Sequence, residues 1–171
     1  MNNLDKYKCS SYFLTIPKYN FSTVANNSNG DYFMNKYIQN LAAFVIGGLS
    51  YPLLELIWRG HTHWSMMLAG GVCMVLMFEI YNTYDNMNFL SRALVGSFVI
   101  TSVELAFGLV LNYRLKMDIW DYSDKRFNFM GQICLLYTFL WGLLSIPVSV
   151  LCIRLKGLFE RINLNGESET A

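Results

Sequence analysis

The chain has 171 residues, of which 54% are hydrophobic and 15% charged, and its formal net charge is +1. Soluble domains carry roughly 25% charged residues, so the composition argues against a typical soluble domain and indicates an integral membrane protein. The near-neutral charge excludes the basic footprint of a nucleic-acid-binding protein. No CxxC pair is present and three of the four cysteines lie in apolar runs, so we expect reduced thiols at Cys9, Cys73, Cys134 and Cys152.

The first 37 residues are polar and rich in Asn, Ser and Tyr, with no apolar run of helix length. They lack the apolar region of a signal peptide. We predict a polar N-terminal tail at residues 1–37 that is disordered or lies on the surface. Within it, "SSYFLTI" is predicted to form a short strand or an interfacial segment.

Four apolar runs follow, and each is close to the roughly 20 residues that a helix needs to cross a bilayer. Because lipid offers the backbone no other partner, each run is predicted to be helical. The predicted fold is all-α, a four-helix transmembrane bundle at residues 38–155, with a short C-terminal tail at 156–171. The predicted spans are Ile38–Trp58, Trp64–Ile80, Arg92–Tyr113 and Phe129–Ile153. Pro52 and Pro147 are candidate kinks within them.

Four spans place both termini on the same side of the membrane. Basic residues close to the spans are equally numerous on the two sides, so the positive-inside rule does not decide the orientation. The basic residues of segment 114–126 lie in a loop that we expect to be structured, and this favours cytoplasmic termini.

A charged cluster, "LLELIWRGHTHW", closes the first span. Glu55 and Arg59 are spaced i, i+4, which places them on one helix face within salt-bridge reach. Helix polarity brings the 114–128 loop to the same membrane surface, and one guanidinium can bind two carboxylates. We therefore predict that the Glu55–Arg59 pair docks this loop over the bundle mouth, with Asp121 as the second partner of Arg59.

Glu104 lies about 13 Å inside the third span, at 1.5 Å per residue. A carboxyl group at that depth costs about 2.5–3.5 kcal/mol on insertion scales unless it is paired or protonated. It belongs to a polar stripe of small and polar residues that is predicted to face the bundle interior. The members recur at spacings of three and four: Ser97, Thr101, Glu104, Gly108 and Asn112. Glu104 is either a functional group or a hydrogen-bonded structural carboxyl.

The two histidines of "HTH", His61 and His63, invite a metal interpretation. They could bind zinc if Glu55 or an aspartate from the 118–124 loop joined them, but a catalytic zinc usually takes three protein ligands and this loop alone supplies at most two. We therefore predict no metal and no cofactor. The alternative is a polar turn between two interfacial tryptophans, Trp58 and Trp64.

The stretch "DIWDYSDKRFNFMGQICLLYTFLWGLLS" combines turn-forming and interfacial residues. Asp121 and Ser123 are typical turn initiators, and Trp120 and Tyr122 are aromatics suited to an interface. Gln132 is predicted to lie one turn into the fourth helix. The pattern indicates an ordered loop that folds back into the bundle mouth.

Over Ile38–Leu155 the sequence resembles the CmpB-type family of ABC transporter permeases, small bacterial membrane proteins also called "ABC-transporter type IV". The resemblance is carried by "LIWRGHTHWSMMLAGG" and by "WDYS" followed by "FN", "GQICL" and a tryptophan. It implies a multi-pass protein of the cell membrane with a role in transport. It carries over these positions: Glu55, Arg59, Glu104, Asn112, Trp120, Asp121, Tyr122, Ser123, Asn128 and Gln132.

Three classes of function compete. The first is a transporter or permease-type subunit with a polar intramembrane site at Glu55, Arg59, Glu104, Asn112 and Gln132, gated by loop residues His61, His63, Trp120, Asp121, Tyr122, Ser123 and Asn128. The second is a membrane enzyme for a lipid or isoprenoid-type substrate, with Glu55, His61, His63 and Asp121 as acid–base groups and Arg59 holding a phosphate. The third is a structural or assembly protein.

We predict the first class, because the family resemblance points there and the polar stripe runs deep. The chain has no GxxxxGK[ST] motif, so it cannot bind ATP by that route. Four helices are few for a translocation path. The expected partners are therefore membrane lipids and either a second copy or a separate ATPase, with no nucleic acid.

Overall fold

A computed structural model of the chain describes residues 29–169 except residue 85, with side chains described between residues 35 and 162. Cys9, the segment "SSYFLTI" and residues 1–28 of the tail predicted at 1–37 lie outside the described residues, whereas residues 29–37 belong to the first helix. Within the described residues, four helices are long and apolar enough to cross a membrane. The all-α fold class is confirmed.

The helices agree with the predicted spans in number and order, and differ at their ends. Helix α1 covers Asn29–Arg59 and so begins nine residues before the predicted start. Helices α2 and α3 cover Trp64–Thr83 and Phe89–Gly108. A π-helical segment, Leu109–Arg114, continues α3, and α4 covers Leu135–Glu169. Pro52 and Pro147 both lie inside helices, α1 and α4 respectively.

The bundle consists of two tightly packed helix pairs, α1 with α2 and α3 with α4. Glycines allow the first pair to approach closely: a Cβ on Gly47 would lie 2.5 Å from the Gly70 carbonyl oxygen, and one on Gly70 would lie 2.6 Å from that of Gly47. In the second pair, a Cβ on Gly96 would collide with the Ser145 side chain. Such small-residue contacts are typical of helix packing in membranes. Helices α1 and α4, by contrast, barely touch.

Polar contacts tie the helices together at one end of the bundle. Lys36 near the start of α1 forms a 3.3 Å salt bridge with Glu79 near the end of α2. Lys156 in α4 donates a hydrogen bond of 3.2 Å to the backbone carbonyl of Asn82. The start of α1, the end of α2 and the part of α4 around Lys156 therefore lie at the same end, as an even number of spans requires.

The segment before α4 corrects one prediction. Residues 129–134 were predicted to begin the fourth helix, but a short hairpin occupies them, with β1 at Asn128–Phe129 antiparallel to β2 at Ile133–Cys134. Met130 and Gly131 at its tip have φ angles of 54° and 68°, and a hydrogen bond of 3.0 Å from Gln132 N to Phe129 O closes the turn. Two consecutive positive φ angles are the geometry of a tight hairpin turn, which excludes a helix here.

Candidate functional site

The Glu55–Arg59 pair forms at the end of α1. Glu55 accepts a hydrogen bond of 2.6 Å from Arg59 Nη1 on one oxygen and one of 2.6 Å from Thr62 Oγ1 on the other. The glutamate side chain is 6% exposed and the arginine side chain 27%. The predicted i, i+4 pair is confirmed, and its carboxylate is tolerated in an apolar run because both oxygens have charged or polar partners.

The second partner of Arg59 is not the predicted one. Arg59 Nη2 donates a hydrogen bond of 3.1 Å to the backbone carbonyl of Ile119, so the pair does dock the following loop. Asp121 was predicted to fill this position, and that prediction is wrong. Its Oδ1 atom instead accepts bonds of 2.8 and 2.6 Å from Ser123 N and Oγ. The aspartate closes its own turn because the serine two residues along the chain offers two donors at little cost in loop closure.

Asp121 and Ser123 also pack against the hairpin. A Cβ on Gly131 would lie 2.6 Å from both Asp121 Oδ1 and Ser123 Oγ, and the Gly131 carbonyl accepts a 2.8 Å bond from Tyr122 N. The bonds from Ser123 lower the pKa of Asp121 below its ordinary value. Residues 115–134, hereafter the capping loop, therefore form one structure that includes the hairpin.

Asn112 fastens the capping loop to α3. Its Nδ2 atom donates to the Trp120 carbonyl at 2.8 Å and to Gln132 Oε1 at 3.0 Å, and its Oδ1 atom accepts from Ile119 N at 2.8 Å. Gln132, predicted to lie in α4, lies instead in the hairpin, and its backbone carbonyl accepts from the buried indole of Trp120 at 3.0 Å. Every one of these polar groups is satisfied within the protein, which low-dielectric surroundings require.

Glu104 faces the bundle interior, as predicted, and is hydrogen-bonded. Its Oε1 atom accepts a 2.9 Å bond from the Tyr122 hydroxyl, and its Oε2 atom accepts a 3.0 Å bond from Trp141 Nε1. The capping loop and α4 thus converge on this carboxyl. Burial, and then the negative charge of Glu104, raises the pKa of Tyr122 well above its usual value, so the phenol stays protonated and donates.

The remaining stripe residues are in contact with α4 and the hairpin. Ser97 Oγ donates to the Thr138 carbonyl at 2.6 Å, and Thr101 Oγ1 lies 3.3 Å from Thr138 Oγ1. A Cβ on Gly108 would lie 2.5 Å from Gln132 Oε1, so this glycine allows the hairpin to approach α3. The polar stripe is therefore filled by protein partners along its length.

Two cavities meet at the Glu55–Arg59 pair. A small inner chamber of about 20 Å³, enough for roughly one water molecule, lies between α1, α2, α3 and the capping loop. A larger opening of about 210 Å³, the lateral cleft, lies between α1 and α4. Four residues line both: Tyr51, Glu55, Arg59 and Tyr122. Glu104 lines the inner chamber alone.

The lateral cleft contains residues that the sequence did not single out. Tyr122 stacks on Tyr137 with ring centroids 4.7 Å apart, and Tyr137 lies 6.1 Å from Trp141, which lies 6.0 Å from Tyr51. Thr62, the middle residue of "HTH", was also missed. The sequence does contain a pattern that indicates Tyr137 and Trp141. Their spacing of i, i+4 places them on one face of a membrane-spanning helix, where the Tyr hydroxyl and the Trp N–H need hydrogen-bond partners.

Three predicted loop residues have local roles. His63 caps the N-terminus of α2, since its Nδ1 atom accepts from Ser65 N at 3.3 Å. His61 Nδ1 lies 3.0 Å from the Arg59 carbonyl oxygen. Asn128 donates to the Lys125 carbonyl at 2.8 Å and braces the capping loop. Among the described residues, no group of three or more His, Cys, Asp or Glu side chains is arranged to hold a metal ion.

Three of the predicted free thiols lie in the described part of the chain. Cys73, Cys134 and Cys152 are buried and unpaired with one another.

Comparison with known proteins gives a family match. Residues 55–165 match the family model described as "Putative ABC-transporter type IV". The chain belongs to this family. No curated protein and no solved structure matches it. The matched segment begins at Glu55 and contains all twelve predicted site residues as well as the capping loop, whereas the first part of α1 lies outside it.

The family and the fold together identify the class of protein. This ABC-transporter type IV protein is a multi-pass membrane protein with four apolar helices. Membership in the family is consistent with a separate ATPase as partner.

Proposed function

We propose that the chain is a transport-type membrane subunit whose lateral cleft receives an amphiphilic substrate from the bilayer. The observation that carries this proposal is the cleft itself, about 210 Å³ between two helices that barely touch. In this account, membrane lipids surround the bundle and supply the substrate by lateral diffusion.

The rim of the cleft supports entry from the membrane. Leu54 and Trp58 on α1 line it and are 45% and 71% exposed, so the opening reaches the outer surface of the bundle. Leu54 and Trp58 belong to a helix that is long and apolar enough to cross the membrane, so we propose that this opening faces lipid. An apolar wall with a few polar groups at one end is the usual composition of a small-molecule site.

The polar end of the cleft supports substrate orientation. The Glu55–Arg59 pair and the Tyr122 hydroxyl line the end nearest the capping loop, and the leucines Leu140 and Leu144 line the wall on α4. An amphiphile would place its polar group against the rings of Tyr122 and Tyr137 and its apolar chain towards the membrane. The capping loop, held by Arg59 and Asn112, would close the polar end from the aqueous side.

A partner completes the transport role. The polar stripe is occupied by hydrogen bonds to Thr138 and Gln132, which argues against a continuous path through a single described bundle. We propose that movement of the substrate requires a second copy of the chain or a separate ATPase, since the chain has no nucleotide-binding motif of the GxxxxGK[ST] type.

Photocapture in cells tests this proposal. A photoreactive phenylalanine analogue at Leu140, which lines the cleft, should capture one enriched amphiphile that mass spectrometry identifies. The matched control is the same analogue at Leu143, three residues along α4 and 50% exposed, which does not line the cleft and should capture lipids in their bulk proportions. The same lipid composition at both positions would overturn the proposal.

A further inference from the structure

We infer that the lateral cleft selects substrates whose head group is an organic cation, an ammonium or alkylated ammonium group. This inference rests on the proposed function, because it names the substrate class of the same cleft. Its support comes from the chemistry of the cleft walls, from the charge balance around them and from the volume available.

The walls are unusually aromatic. Five of the ten residues that line the cleft are Tyr51, Trp58, Tyr122, Tyr137 and Trp141. Four of these rings form a connected cluster, with centroids 4.7 to 6.1 Å apart. Cations are attracted to the negative faces of aromatic rings, most strongly to tryptophan, and aromatic clusters are the usual receptor for alkylated ammonium groups.

The charges around the cleft favour a cation over an anion. Among the residues lining the two cavities, the acids are Glu55 and Glu104 and the only base is Arg59. Arg59 is already bound to Glu55 at 2.6 Å and to the Ile119 carbonyl at 3.1 Å. An anionic head group would have to compete with these partners, and it would approach Glu55, the acidic side chain that lines the cleft.

Glu104 lies directly behind the aromatic wall. It accepts hydrogen bonds from the Tyr122 hydroxyl and the Trp141 indole, so two rings that line the cleft are polarised towards a carboxyl group. Hydrogen bonds in low-dielectric surroundings polarise their donors, and donation to a carboxylate increases electron density on the donor ring. A cation in the cleft would be attracted both to these rings and to the Glu104 carboxyl group behind them.

The volume matches a head group rather than a whole amphiphile. Sites that enclose a complete small ligand measure about 300–1,000 Å³, and this cleft measures about 210 Å³. The apolar chain would therefore extend past the exposed rim at Leu54 and Trp58 into the bilayer.

The test compares short amphiphiles of equal chain length, added to the purified protein in a maltoside detergent and followed by calorimetry. Hexyltrimethylammonium should bind at least tenfold more tightly than hexyl glucoside or hexanesulfonate. Tyr137→Leu should weaken the cation about three- to thirty-fold, the range that a single cation–π contact provides, and Tyr137→Phe should recover most of the affinity. Phe139→Leu, on the exposed side of α4 and outside the cleft, should change nothing.

Glu104→Gln provides a second, independent arm. The amide can still accept from Trp141 and donate to Tyr122, so the fold is retained while the charge is lost. The cation should bind about tenfold more weakly to this variant, with little change for hexyl glucoside.

Two results would overturn the inference: equal or tighter binding of hexanesulfonate, or binding of no cation above the level of the neutral probe. Neither depends on the photocapture experiment. Enrichment of an anionic or neutral amphiphile at Leu140 would contradict the preference for a cation but would still support the lateral cleft as a substrate site. Absence of any enrichment at Leu140 would contradict the proposed function itself.

Discussion

Removing Arg59 and removing Glu55 should lower the stability of the protein by unequal amounts. Arg59→Leu leaves the Glu55 carboxylate, 6% exposed, with Thr62 as its remaining side-chain partner. Glu55→Leu leaves a guanidinium that is 27% exposed and keeps its bond to the Ile119 carbonyl. A stranded charge costs more where water cannot reach it, so Arg59→Leu should destabilise the protein more than Glu55→Leu.

The magnitudes follow from burial. Removing one partner of a buried pair costs about 3–5 kcal/mol, and we expect about 3 kcal/mol for Arg59→Leu because Thr62 retains one hydrogen bond. For Glu55→Leu we expect about 1–2 kcal/mol, since Arg59 keeps the Ile119 carbonyl as a partner and is partly exposed. At roughly 2–4 °C per kcal/mol for a chain of this size, the melting temperatures should fall by about 6–12 °C and about 2–8 °C.

Thermal unfolding in detergent, followed by tryptophan fluorescence, measures both shifts. The double variant Glu55→Leu/Arg59→Leu should be more stable than Arg59→Leu alone, because it leaves no buried charge. The charge-reversed pair Glu55→Arg/Arg59→Glu should recover much of what either single reversal loses. Additive losses in the double variant, or a larger loss for Glu55→Leu than for Arg59→Leu, would refute the assignment of Glu55 as the buried member of a coupled pair.

Three further changes test the surroundings of this pair. Gly108→Ala should lower the melting temperature, because its Cβ would lie 2.5 Å from the amide oxygen of the hairpin glutamine, whereas Gly157→Ala, with nothing within 4 Å, should be tolerated. Asn112→Leu should release the capping loop, seen as faster hydrogen exchange of its amides. The hydrogen bonds from Ser123 stabilise the ionised form of Asp121, so they stabilise the turn fully at pH values above 3.8, the ordinary pKa. This stabilisation is lost as the pH falls through the lowered pKa of the folded protein. Ser123→Ala should raise the pKa of Asp121, as an NMR titration would measure.

Each of these expectations has a contrary result. Equal melting temperatures for the two glycine variants would contradict the close approach of the hairpin to α3. Unchanged hydrogen exchange in Asn112→Leu would show that other contacts hold the capping loop. If the pKa of Asp121 is the same with and without the Ser123 hydroxyl, the hydrogen bond from this hydroxyl does not stabilise the turn.

Local spacing in the sequence was enough to predict the spans, the Glu55–Arg59 pair and the inward direction of Glu104. Each depends on helical periodicity and on the high cost of polar groups in lipid, which are properties of single segments. The stripe from Ser97 to Asn112 is predictable for the same reason, because its spacings of three and four define one face of a helix.

The capping loop was less predictable, because its contacts depend on competition between partners. Asp121 could pair with Arg59 or with Ser123. It pairs with Ser123, because a donor only two residues away adds little loop-closure cost. The hairpin turn at Met130 and Gly131 lacks the usual Asn-Gly signal and lies in an apolar run, so it is easily taken for helix. The lateral cleft depends on which helices fail to touch, and no single segment contains that information.

A structure determined by electron cryomicroscopy, with the protein in lipid nanodiscs prepared from native membrane, tests the central claim most directly. We predict elongated density between α1 and α4, with its polar end beside Tyr137 and Trp141 and its apolar end leaving the bundle past Leu54. The opposite result is a closed contact between α1 and α4, with Tyr51 and Trp141 filling the space and no density between them. That result would contradict a substrate site in the lateral cleft.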